Sequence, residues 1–265
     1  MLRVKPIVFL IALVIILTEG NAQPDQKHID SLVNKLELDK TYEDSIKSLR
    51  ALAWYLIRHN LSMAEEYTRR FQNLAEQKQD SHTFAVGDHY LGLIKRFEGA
   101  YAESLSLFQF ALDQYQKNAK YRSSELGVLF NIGVIYQQIG DYGNALDYLY
   151  REYKLGEELG IKKGRANTLN SIGNIFKKIK DYSKAIEVYD EAMELAKDER
   201  DRITESNILY NRADVKITLG DLAGAAKDCQ ASLAIDSNEG YLKGMASSYA
   251  QLARIHLQMD SYSQA

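Results

Sequence analysis

The sequence predicts an all-α protein, a right-handed α-solenoid built of antiparallel helix hairpins. Three observations predict it. Alanines at 145, 185, 225 and 265 stand forty residues apart, and Leu129–Ala145 matches Leu169–Ala185 at eight of seventeen positions. A fixed period of this length marks stacked supersecondary units rather than one closed globule. Proline occurs only at 6 and 24, so beyond that point no residue lacks the backbone N–H a helix needs. Apolar residues recur at spacings of three and four, as in Leu129, Ile132, Ile135, Tyr136 and Ile139, which is the stripe of an amphipathic helix.

The first element is a leader. Arg3 and Lys5 precede an unbroken apolar run, Ile7 to Leu17, and Gly20-Asn21-Ala22 offers small residues to a signal peptidase. Residues 1–22 read as a secretory signal peptide cut after Ala22. An uncleaved anchor is the alternative, but about 11 apolar residues span a bilayer poorly. Cleavage removes Arg3, Lys5 and Glu19 and moves the net charge from −3 to −4. That mild acidity argues against a nucleic-acid partner, which needs a basic face. Cys229 is the only cysteine; no internal disulfide can form, and the residue reads as core.

Residues 23–40 follow as an entry helix, with Ile29, Leu32, Val33 and Leu36 on one face. The solenoid proper spans 41–265. Its hairpins fall at about 41–80, 81–120, 122–159, 162–199, 202–238 and a truncated 241–265. Gly140-Asp141, Lys180-Asp181 and Gly220-Asp221 break the stripes: the first residue of each pair ends a helix and the aspartate caps the next. Gly133, Gly173, Ala213 and Ala253 on first helices, and Ala145, Ala185, Ala225 and Ala265 on second helices, are small where the two must touch. Tyr136, Phe176, Tyr189 and Phe108 fill the wider gaps. Ala265 lies only a few residues into a new second helix, which leads us to expect a longer natural protein.

The recurring Leu, Ile-Gly, Tyr or Phe, Asp-Tyr and Ala resembles the tetratricopeptide repeat, and the forty-residue period its long-helix branch, as in kinesin light chains. The likeness is strongest over 123–198. Departures are Lys95, Lys216 and His256 in place of the first-helix aromatic, Asp88 in place of a large apolar residue, and no closing proline.

The resemblance implies a binding groove lined by first helices. The candidate groove residues are Asn131, Gln138, Asn167, Asn170, Asn174, Lys177, Asn207, Asn211, Asp214 and Arg254. Amides carry both donor and acceptor and can pair with a peptide backbone whatever its side chains. Asparagine is also a poor helix former, so its recurrence in first helices invites a functional explanation. No phosphate-binding glycine loop, His-Glu-x-x-His or Gly-x-Ser-x-Gly motif occurs, and the scattered histidines lack metal-ligand spacing. The expectation is a non-catalytic scaffold without cofactor or metal, secreted or periplasmic, binding a protein or peptide. It would meet a membrane only through its uncleaved leader or a missing C-terminal segment. A signal peptide followed by such repeats also resembles the front of bacterial envelope regulators. The alternative is therefore a periplasmic sensor domain of a signalling protein whose histidine kinase or DNA-binding output domain lies beyond residue 265.

Overall fold

The computed structural model describes residues 26–39 and 41–263. The expected leader 1–22 with its cleavage point, and Ala265, lie outside the described residues. Within them the chain is an all-α, tetratricopeptide-like solenoid whose helices pack in consecutive pairs. It divides into two compact units, residues 1–131 and 132–265.

In the first unit, helix α1 (Gln26–Leu38) buries Ile29 and half-buries Leu32, Val33 and Leu36. Hairpin α2 (Tyr42–Leu56) and α3 (Leu61–Gln77) packs around Leu52, Leu56, Ala64 and Phe71. Hairpin α4 (Ser81–Phe97) and α5 (Tyr101–Gln116) closes where Gly92 meets Phe108, and Ser104 Oγ donates to the Gly92 carbonyl over 2.6 Å. A 3-10 turn, Ala119–Tyr121, then leads into α6 (Arg122–Gln138). This turn accompanies the 41-residue interval between Ser104 and Ala145, one more than the period; His82 stacks on its Tyr121 with ring centroids 3.6 Å apart.

Asp88, polar where the repeat favours a large apolar side chain, is buried and receives Gln72 Nε2 over 2.9 Å. Gly87 leaves the space Gln72 occupies. Burial, partly offset by that hydrogen bond, pushes the Asp88 carboxyl up to about 6. Lys95, standing for an aromatic, is held by Glu98 at 2.9 Å and Glu65 at 3.3 Å.

In the second unit, α6 from Ile132 onward pairs with α7 (Tyr142–Glu158). Hairpins α8 (Arg165–Lys178) with α9 (Tyr182–Glu199) and α10 (Arg202–Thr218) with α11 (Leu222–Asn238) follow, then α12 (Leu242–Ser263). Small residues stand at the crossings. A Cβ on Gly133 would lie 2.7 Å from Leu149 Cγ, and Ala145, Ala185, Ala213 and Ala225 are fully buried. Asp141, Asp181 and Asp221 each accept the backbone N–H three residues on, capping α7, α9 and α11. The residues before them, Gly140, Lys180 and Gly220, have φ of 83, 66 and 82°. Cys229 is buried among Ala213, Ala225 and Ile255, and its thiol donates to Gln251 Oε1 over 3.0 Å. Lys216, another departure from the aromatic, pairs with the buried Asp228 at 2.8 Å.

One feature differs from the sequence expectation. The helix expected to end before Asp260 runs on to Ser263 as one continuous α12. Forty residues after Gly220 its turn position is Asp260, which lacks glycine's freedom to enter the left-handed region. Ala253, on α12, is exposed. Glu199, the last residue of α9, accepts from Gly164 N at 2.8 Å and Ala166 N at 3.1 Å. It caps α8, whose own N-cap is a glycine without a side chain.

Candidate functional site

Three first helices of the second unit, α8, α10 and α12, lie side by side, and their facing side chains join them. Asn211 Nδ2 donates to Asn170 Oδ1 over 3.1 Å. One turn further along, Asp214 accepts from Lys177 Nζ at 3.2 Å and from an Arg254 guanidinium nitrogen at 2.6 Å. Burial alone would raise the Asp214 carboxyl; the hydrogen bond from Arg254 and the charge of Lys177 outweigh it and hold the group below the usual carboxylate range. The partners stand 41, 37 and 40 residues apart, so each bond ties one repeat to the next.

The remaining candidates fall in different settings. Asn174 Oδ1 accepts the hydroxyl of buried Tyr189 over 2.7 Å. Asn167 is half-buried, whereas Gln138, at the end of α6, and Asn207 are exposed. Asn131, in the first unit, is buried and returns its amide to the Gly127 carbonyl of its own helix over 2.6 Å.

Near the N-terminal ends of α10 and α12 this face opens into a cavity of about 300 Å³. Asn170, Asn207, Tyr210, Asn211, Asp236 and Lys243 are among its lining residues. The sequence reading named the three asparagines and missed Asp236 and Lys243. Behind them runs a chain of buried hydroxyls: Ser206 Oγ donates to Asp236 Oδ1 over 2.6 Å, Ser206 and Ser232 lie 2.8 Å apart, and Ser232 and Ser248 3.1 Å. Asp236 is 1% exposed, and its Oδ2 has no partner. Burial pushes its carboxyl up, against the weaker pull of Ser206.

A signal for this cluster existed in the forty-residue register. The counterparts of Ser206, Ser232 and Asp236 one repeat earlier are Ala166, Ala192 and Ala196, all fully buried. The packing of one hairpin on the next is satisfied there by alanine. The polar substitutions therefore go beyond what the solenoid requires.

The class of protein defined by these stacked hairpins is the tetratricopeptide repeat solenoid. Residues 83–158 and 124–198 match the family model for the tetratricopeptide repeat. Among solved structures of similar fold is a Rap protein complexed with competence and sporulation factor, at 16% identity and a TM-score of 0.63, covering 89% of this chain and 70% of that one. A STAND signal-transduction ATPase with a tetratricopeptide repeat sensor, from Pyrococcus horikoshii, is 19% identical with a TM-score of 0.65; the match covers 94% of this chain and 41% of that one. A kinesin light chain protein with nearly identical repeats, from Podospora anserina, is 14% identical with a TM-score of 0.57, covering 74% and 96%. No curated protein matches the chain in sequence.

Proposed function

We propose that this chain is a non-catalytic protein- or peptide-binding scaffold of the cell envelope, its partner lying along the first-helix face of the repeats. The observation that carries the reading is the polar cavity between α8, α10 and α12, where Asn170, Asn207 and Asn211 converge. Amides at such a place offer donors and acceptors to an extended backbone. The similarity in fold to a Rap protein solved with competence and sporulation factor supports a binding role. The cell-envelope location rests on the leader, residues 1–22. Asn174 contributes to such a face by holding the Tyr189 ring in place through its Oδ1.

Selection of displayed peptides on residues 23–265 tests this. Asn207→Ala combined with Asn211→Ala is expected to abolish capture of the selected peptides and leave the helical content unchanged. Undiminished capture would overturn the assignment. N-terminal sequencing of protein recovered from the envelope fraction should begin at Gln23; a start at Met1 would remove the secretion reading.

A second reading is favoured by the similarity to a protein carrying a tetratricopeptide repeat sensor, of which this chain spans 41%. In it the repeats are the input domain of a longer signalling protein. No helix among the described residues is long and apolar enough to cross a membrane. An apolar run of about 20 residues encoded after codon 265 would support this reading, and a stop codon there would count against it.

A further inference from the structure

The cavity between α8, α10 and α12 contains a buried carboxylate oxygen that nothing in the chain satisfies. Asp236 Oδ2 is orphaned although the residue is almost wholly enclosed and lines the cavity. Leaving a buried acceptor unpaired is destabilising, and more so when it is charged. The preceding repeat, with alanine at the corresponding position, avoids that cost.

The neighbouring hydrogen bonds have a direction. Ser206 has one proton and gives it to Asp236 Oδ1. Its contact with Ser232 at 2.8 Å therefore has Ser232 as donor, and Ser248 in turn donates to Ser232 at 3.1 Å. All three protons point towards the carboxylate. Oδ1 is satisfied and Oδ2 is left bare. Gly244 borders this oxygen: a Cβ there would lie 2.4 Å from it. The side of α12 nearest the carboxylate is thus kept free of a side chain. Lys243 stands exposed at the lining and makes no ion pair with Asp236.

A buried anion rejects an anionic ligand and attracts an N–H donor, most strongly a cationic one. A guanidinium is matched best by both oxygens of a carboxylate. Only one is free at Asp236. A primary ammonium is a compact point charge that can use a single carboxylate oxygen and fill its other donor positions from hydroxyl and amide oxygens, which Tyr210, Asn170 and Asn207 bring to the lining.

We propose that this cavity receives a primary ammonium group of the bound peptide, a lysine side chain or a free amino terminus, with Asp236 Oδ2 as its principal acceptor. The proposal rests on the peptide-binding reading and specifies what the partner must present.

The test uses residues 23–265 and four blocked or unblocked pentapeptides titrated by nuclear magnetic resonance. The first is acetyl-Gly-Gly-Lys-Gly-Gly-amide. The second carries norleucine in place of lysine, the third carries arginine, and the fourth is pentaglycine amide with a free amino terminus. The lysine peptide or the free-amine peptide is expected to bind at least about tenfold more tightly than the norleucine peptide, shifting the amide signals of Ser206 and Gly244. Which of the two binds identifies the source of the ammonium. Asp236→Asn should reduce that binding to the norleucine level, and Lys243→Ala, which removes a competing positive charge, should tighten it about two- to threefold.

Equal binding of the lysine, free-amine and norleucine peptides overturns the ammonium assignment while leaving a peptide-binding face intact. Tighter binding of the arginine peptide than of either amine also overturns it. Absence of binding by any probe at millimolar concentration overturns it too, and peptides selected on the same protein then show whether the general reading survives. Should Asp236→Asn fail to fold, Lys243→Ala decides: unchanged or weaker binding of the amine peptide counts against the proposal.

Discussion

Tyr189 occupies the space that Gly173 leaves empty. A Cβ on Gly173 would lie 2.5 Å from Tyr189 Cε1, and the tyrosine ring is fully buried. The repeat's glycine on one helix and aromatic on the other are therefore a single steric unit. Gly92 with Phe108 repeats the arrangement, and Gly133 has Leu149 in place of the aromatic.

Gly173→Ala is the sharpest test of that contact because two effects oppose each other. In a helix interior alanine is favoured over glycine by about 1 kcal/mol. Overpacking against a fixed ring costs about 1–3 kcal/mol. We expect net destabilisation in urea unfolding, and a more stable variant would show that the crossing is looser than described.

Lys180→Gly should act in the opposite direction. Lys180 holds φ of 66° where Gly140 and Gly220 serve the neighbouring turns. A left-handed backbone costs a non-glycine residue about 1–2 kcal/mol, so the melting temperature is expected to rise. An unchanged or lower value would mean that the lysine side chain contributes more than its backbone loses.

Asn174→Ala and Asn207→Ala separate structural from exposed amides. The first removes the acceptor of the Tyr189 hydroxyl and should lower stability by about 1–2 kcal/mol. The second alters an exposed side chain and should change stability by less than about 0.5 kcal/mol. Comparable losses in chemical denaturation would contradict this division.

Glu152 makes stability depend on pH. Burial pushes its carboxyl up to about 7, against smaller effects of Thr168 and Arg165, from an ordinary 4.5. The folded chain keeps this proton where the unfolded chain has lost it, so stability falls as pH rises from about 4.5 to about 7 and then levels off. Glu152→Gln should remove a decline on the order of 2–3 kcal/mol. Unfolding curves at pH 5 and pH 8 with the same wild-type-to-variant difference would sink this expectation.

Cys229 should be inert in the native protein. Burial, reinforced by Asp228, pushes its thiol up to about 11, and the residue has no exposed surface. A thiol reagent at pH 8 is expected to react only as fast as the chain unfolds. Immediate stoichiometric labelling would show that the core around Ala225 opens.

The repeat was legible because close packing recurs at a fixed interval, and both partners of the contact carry it in their side-chain size: Gly133 and Gly173 on one side, Ala145 and Ala185 on the other. The turns were legible because Gly140, Lys180 and Gly220 precede a capping aspartate. The continuous path of α12 through Asp260 was not, since the alanine spacing extends to 265 without the Gly-Asp turn chemistry that accompanied it at 140 and 220. The amide-rich face was read from helix positions, yet the use of each amide depends on neighbours at distant positions in sequence. Asn174 serves Tyr189, while Asn170 joins Asn211.

By itself the sequence determined the hairpins, their period and the small residues at their crossings, because these are properties of local helix geometry repeated along one dimension. Only the tertiary structure decided which polar side chains are consumed within the fold and which remain available. That choice depends on which helices become neighbours across a repeat, and a free valence such as Asp236 Oδ2 becomes visible only once every surrounding donor has a position.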